Sequence, residues 1–318
     1  MRRRVTALLK LALGVALIAW LLSQLDFAEV ARLSRAGDVA DLVLGLGAFV
    51  VALAGFQALR LHVLVRRHTG SLATSYKLFF VGALFNNLLP SNVGGDAVRL
   101  LYLRDMGGGV GGPLALLLLH RLTGLGVLLV GATFYVLARP ARALGLLAGG
   151  EAAIDPGTAL LVVLAGLVVG SLLLMLGLRL QRVRKLLADA AGAVRSLSWS
   201  DWAALLLLTG LFQAARLVGF LFIARYLGQL ADPFDTIFVL AAAAVAALLP
   251  ISIAGLGVME GSISYLFVAF GMDPAAAISA AFAHRLALLL MALVGGVVYG
   301  LSRGRPGPGA PVEASGGT

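Results

Sequence analysis

Two acids and several bases stand where hydropathy places the interior of a membrane. Asp96 lies in NNLLPSNVGGDAVRLLYLR (86–104) and Glu260 in AALLPISIAGLGVMEG (246–261). His120–Arg121 and His284–Arg285 occupy two HRL triplets, while Gln213 and Arg216 sit inside LLLTGLFQAARLVGFLF. An ionisable side chain in hydrocarbon is expensive, so each of these calls for a partner, a wet cavity or a substrate path. Arginine presents a planar fork that matches phosphate oxygens, which makes Arg121, Arg216 and Arg285 candidates for an anionic lipid head group. Asp96 has Arg99 three residues away on one helix face. The plainer alternative is a set of fixed ion pairs holding helices together, with the histidine–arginine pairs clamping backbone carbonyls. Arg216, mid-helix and too deep to reach water, is the hardest of them to read as structural.

The polar residues around the acids are of turn type. Asn86, Asn87, Ser91 and Asn92 either satisfy free backbone groups or offer donors to a head group, with capping the expected role for Ser91 and Asn92. Pro90, Gly94, Gly95, Pro250, Gly255 and Gly257 mark tight turns and close helix approach. No Walker-type GK[ST] occurs, so nucleotide binding is not expected; the chain has no cysteine, so thiolate metal sites are excluded, and no metal or cofactor is called for.

These residues need a frame. The 318 residues are 60% hydrophobic and 13% charged with a mean hydropathy of +0.99, which excludes a soluble globular protein. The net charge of +10 is topological rather than a sign of nucleic-acid binding, because Lys and Arg gather in short segments between apolar runs. The expected class is an all-α polytopic membrane helix bundle forming a single transmembrane domain over 1–302, followed by a disordered cytoplasmic tail, 303–318. MRRR and the apolar run Val5–Leu22 read as a retained first helix, and 23–38 as a loop or interfacial helix. Spanning helices are expected over Val39–Leu59, Pro113–Leu137, Thr158–Leu178, Trp202–Tyr226 and Ala275–Leu301. His62 and His68 fall in a basic loop after Arg60, and Arg182, Arg184 and Lys185 serve as topology determinants.

By charge placement both termini are expected to be cytoplasmic, and the expected location is the cell inner (plasma) membrane. Charge placement also requires residues 71–106 to enter and leave by one face, as a re-entrant hairpin turning at PSNVGG. Asp235–Ala269 forms a second hairpin turning at Pro250–Gly257. LLP, glycines and an acid, then HRL and a terminal tyrosine, recur in the same order in 39–138 and 202–301. With an odd number of crossings between the hairpins, these are two inverted repeats, an architecture whose sites lie where broken helices meet. If both hairpin arms span fully, the parity is unchanged and only the helix count rises.

On these residues the chain resembles the lysylphosphatidylglycerol synthase transmembrane region family, often described as flippase-like. NNLLPSNVGGDAVRLLYLR looks like its first signature and LLPISIAGLGVMEG its second, and the resemblance covers about residues 10–302. It implies a non-enzymatic membrane protein that moves a lipid between leaflets, with membrane lipids as partners. The sequence ends after its membrane part, so the expectation is that it does not synthesise lysyl-lipid. The alternatives are a membrane-embedded enzyme acting on a lipid phosphate, with a histidine as nucleophile or base, and a non-catalytic subunit of a cell-envelope assembly.

Overall fold

The computed structural model describes residues 37–88, 94–142, 181–247 and 257–302. The expected first helix, the helix over 158–178, the turn residues Pro90, Ser91, Asn92, Pro250 and Gly255, and the tail lie outside the described residues. Within them the chain is helical and carries no strand. Its longer helices are α1 (Val39–Thr69), α4 (Gly111–Ala138), α6 (Trp199–Tyr226) and α9 (Pro274–Ser302), of 31, 28, 28 and 29 residues. All four are long and apolar enough to cross a bilayer core, which takes about 20 residues. The chain is therefore a polytopic membrane protein. Shorter helices lie between them: α2 (Leu72–Leu88), α3 (Gly94–Leu103), α5 (Gln181–Arg195), α7 (Pro233–Ala246) and α8 (Val258–Ala269).

Helix starts follow local chemistry. The Asp38 carboxylate accepts from the Ala40 N–H at 2.9 Å, Ser198 and Asp201 form a reciprocal capping box, and Asp232 caps α7 with Pro233 just inside it. At the other end of α1, Gly70 takes a left-handed conformation (φ 66°), which ends the helix without a Cβ penalty.

That stop comes later than charge alone predicts. The helix expected to end at Leu59 continues to Thr69, because no helix breaker precedes Gly70. His62 and His68 are thus helical rather than in a loop, and Arg60 is 2% exposed instead of facing solvent at a helix end. The middle of α1 also widens into a π-helical stretch, Val51–Gln57, a departure that often accompanies functional sites.

Among the short helices, α2 packs on α3, and α7 on α8. The packing between halves is reciprocal. Helix α2 of the first half lies along α9 of the second, and α7 of the second lies along α4 of the first. Glycines set the distances. Gly295 of α9 faces the Phe80 backbone, and Gly131 of α4, at the matching place relative to its HRL triplet, faces Ile237 of α7. Helices α1 and α6 close in the same manner, with Ile223 against Gly45 and Phe49 against Gly219. Small residues let helix backbones approach in lipid, where dispersion replaces the hydrophobic effect as the packing force.

Candidate functional site: an arginine-lined cavity pair

Both acids begin a short helix. Asp96 is the third residue of α3 and Glu260 the third of α8, positions at which the helix dipole favours an anion. Each meets the arginine of the HRL triplet that follows it. The Arg121 Nε–H is hydrogen-bonded to Asp96, and the Arg285 Nε–H to Glu260. Arg99 adds a second partner to Asp96 at 2.7 Å, and its remaining N–H groups reach the carbonyls of Phe79 (3.0 Å) and Leu78 (3.4 Å) on α2. Glu260 also accepts from the Gly257 N–H at 2.7 Å, where φ is 80° and glycine is favoured.

The first hairpin closes on itself through Asn86, whose side-chain oxygen accepts from the Gly95 N–H at 2.8 Å. Gly95 is where α3 comes nearest to α2: a Cβ there would overlap the Gly82 carbonyl. Gly94 is buried beside it. Asn87 donates to the Ala83 carbonyl at 3.0 Å, and its own oxygen is buried with no partner among the described residues.

Two adjoining cavities, of about 320 and 290 Å³, lie between the halves. They share Leu53, Gln57, Arg121, Ala244, Met259 and Leu288 as walls, so the π-helical stretch of α1 borders both. The larger is lined by Asn86, Asn87, Arg99 and Arg285 and the smaller by Arg60, His120, Gln213, Arg216 and His284. The candidates that the sequence placed in separate repeats therefore converge. His120, which packs close to the Gln57 carbonyl at 3.4 Å, and His284, whose ring lies between Phe49 and Phe220, face the same cavity.

Arg60 is the member that charge-based reading missed. Its Nη2 donates to the His120 carbonyl at 2.8 Å and to Thr123 at 3.1 Å, and its guanidinium sits 5.3 Å from the Phe212 ring centroid. Arg216 approaches the same ring at 5.5 Å and donates to Gln213 at 3.1 Å, while Gln213 holds the Gly124 carbonyl at 3.1 Å. Arg60 lies beside Gly124 of α4, where there is no Cβ to displace it. Neither Arg60 nor Arg216 has a carboxylate partner among the described residues. The Nε and Nη2 of Arg216, the Nη2 of Arg285 and the Nε2 of His284 likewise have no hydrogen-bond partner there.

Outside the long helices, Arg139 and Arg142 clasp the start of α7: Arg139 bridges Asp232 at 3.0 Å and Asp235 at 3.2 Å, and Arg142 reaches Asp235 at 2.8 Å. At the far end of α1, Arg66 and Arg67 pair with Asp201 of α6. Among the exposed basic residues of α5 are Arg184 and Lys185.

A helical membrane protein with buried guanidiniums around a pair of internal cavities is the class so defined. The family model for the lysylphosphatidylglycerol synthase TM region matches residues 7–296, and the chain belongs to that family. No curated protein and no solved structure matches it significantly.

Proposed function

We propose that this protein moves a membrane lipid with an anionic head group between leaflets, the head group travelling through the paired cavities while the acyl chains stay in lipid. The observation that carries this reading is the pair Arg60 and Arg216 on the Phe212 ring. These are two buried cations, 2% and 6% exposed, without a carboxylate among the described residues. A buried charge left without a counterion costs several kcal/mol, and an arriving phosphate supplies that counterion in bidentate geometry. The family's name points the same way, since it ties this membrane region to a phosphatidylglycerol derivative.

The frame supports transport. The matching acid–arginine pairs and the reciprocal packing of α2 on α9 and α7 on α4 are what an inverted repeat would produce. We read the two hairpins as re-entrant and the termini as cytoplasmic. Rocking of one half against the other would then open the cavity pair to alternate leaflets.

The test is exchange of fluorescent phosphatidylglycerol and phosphatidylcholine in proteoliposomes, comparing the natural chain with Arg216→Gln and Arg60→Gln. Exchange of the anionic lipid that falls at least tenfold in folded variants supports the reading. Exchange equal to that of empty vesicles for the natural chain overturns it.

A further inference from the structure

A third cavity stands apart from the pair. It has a volume of about 270 Å³ and lies where the end of α1, the start of α4 and the last turn of α5 meet; none of its lining residues borders the other two. Its walls are mostly apolar: Val63 and Leu64 from α1, Leu116 from α4, and Leu197 just past α5. Leu64 and Leu116 are buried, whereas Arg67, which lines the same space with His68, is half exposed. The cavity is therefore apolar at depth and cationic at its mouth. Helix α5 packs along α4, where Ala193 lies against Gly112, and it faces α1 across this space.

The cation at the mouth has donors to spare. The acid it approaches is Asp201, but that carboxylate already accepts from Arg66, from the Ser198 N–H at 2.9 Å and from the Ser198 hydroxyl at 2.8 Å. Arg67 stands 3.8 Å from it, beyond hydrogen-bond range. The chain around the mouth has the composition of a membrane–water boundary. Arg66 and Arg195 are exposed, and Trp199, at the start of α6, is 87% exposed. Tryptophan settles at that level of a bilayer, and each basic side chain there attracts anionic lipid by about 1 kcal/mol.

We infer that this cavity is a docking site for an anionic phospholipid of the adjoining leaflet, which inserts an acyl chain between α1, α4 and α5 and sets its phosphate on Arg67, with His68 beside it. Two features select this occupant over a free anion or a zwitterionic lipid. Apolar walls offer a small hydrated anion nothing, while an acyl chain supplies the dispersion contacts that the facing walls lack. A zwitterionic head group brings its own cation to a mouth that is already basic, whereas an anionic one brings only the charge that Arg67 can pair with. The docked lipid is not cargo, because its cavity shares no wall with the pair. It ties α5, which lies between the two halves in sequence, to α1. The inference is independent of lipid movement through the paired cavities.

The experiment is photolabelling of the full chain in phosphatidylcholine nanodiscs, with a trace of phosphatidylglycerol carrying a diazirine on one acyl chain and adducts mapped by peptide mass spectrometry. Adducts are expected around residues 63–68, 116 and 192–197. Arg67→Gln with His68→Gln should lower them about tenfold, the scale of one charge-assisted hydrogen bond, and the same probe with a phosphocholine head group should label these segments less to a similar degree. Arg216→Gln, in the paired cavities, should leave them unchanged. The unfolding temperature of the double variant checks that it is folded. Equal labelling by the two head groups, labelling indifferent to the double substitution, or no adducts on these segments each overturns the site. Lipid exchange in proteoliposomes that persists in the double variant supports a docked lipid apart from the cargo. Exchange that disappears along with the labelling puts this lipid on the cargo path and overturns the separate site. Absence of exchange by the natural chain counts only against the transport reading.

Discussion

Arg285 holds Glu260 through its Nε–H across 25 residues of chain, and Arg121 holds Asp96 by the same atom across the same 25. In each half the acid opens a short helix and the arginine sits in the long helix that follows. Glu260 is 1% exposed and Arg285 5%, so removal of either partner leaves a charge buried alone. Glu260→Leu and Arg285→Met should each cost roughly 3–5 kcal/mol of stability. The double variant Glu260→Leu with Arg285→Met should cost less than either alone, since an apolar pair of similar volume leaves nothing unpaired. Thermal unfolding in detergent across the double-mutant cycle measures this, and additive losses would show that the pair is not coupled.

The glycines opposite neighbouring helices differ in what faces them, so their substitutions should separate. A Cβ at Gly295 meets the Phe80 backbone, which cannot step aside without moving α2. At Gly131 it meets only the Ile237 side chain, and at Gly126 nothing within 4 Å. Gly295→Ala should therefore destabilise by roughly 1–3 kcal/mol, Gly131→Ala by less, and Gly126→Ala should be neutral or slightly stabilising. The same thermal unfolding assay ranks them, and equal effects at Gly295 and Gly126 would mean that α2 and α9 do not pack closely.

Much of this frame was legible in the sequence because its signals are local. The acids and the HRL triplets stood out as charge inside apolar runs, and fixed ion pairs were one of the two readings they allowed, without naming which arginine meets which acid. The expected helices Pro113–Leu137, Trp202–Tyr226 and Ala275–Leu301 differ from the observed ones by no more than three residues at either end. Arg60 was not legible. Read by charge it closes a helix at the membrane surface, and only the tertiary fold shows the chain running on to Gly70 with that side chain turned onto Phe212. Nor could spacing reveal that His120 and His284, 164 positions apart, face one cavity. That contact depends on how the halves dock, which no local pattern encodes.

The clasp at the start of α7 should respond to pH. Burial alone would raise the Asp232 carboxyl, but hydrogen bonds from Arg139 and from the Asp235 and Phe234 amides outweigh it and hold the group below the ordinary carboxylate range. A depressed folded pKa means that the stabilisation is fully present above the unfolded value, about 4. It is lost as pH falls through the lower folded value. Unfolding temperature should therefore drop as the medium is taken from pH 5 towards pH 3, and Asp232→Asn should flatten that part of the profile. An unchanged acid limb in Asp232→Asn would place the titration elsewhere.

Arg216 and Arg285 offer a sharper contrast, because the two guanidiniums are equally buried but differently compensated. Arg285 is matched by Glu260, while Arg216 has a glutamine and an aromatic ring and no carboxylate among the described residues. Replacing a paired buried charge strands its partner, whereas replacing an uncompensated one removes a desolvation cost. Arg285→Met should therefore lower the unfolding temperature, and Arg216→Met should leave it unchanged or raise it. Lipid exchange should run the other way for Arg216, with activity lost in a protein at least as stable as the natural one. That is the pattern of a residue retained for function at the expense of stability. Measuring both quantities on both variants separates the roles: a marked destabilisation by Arg216→Met would mark that arginine as a structural clamp and remove it from the transport path.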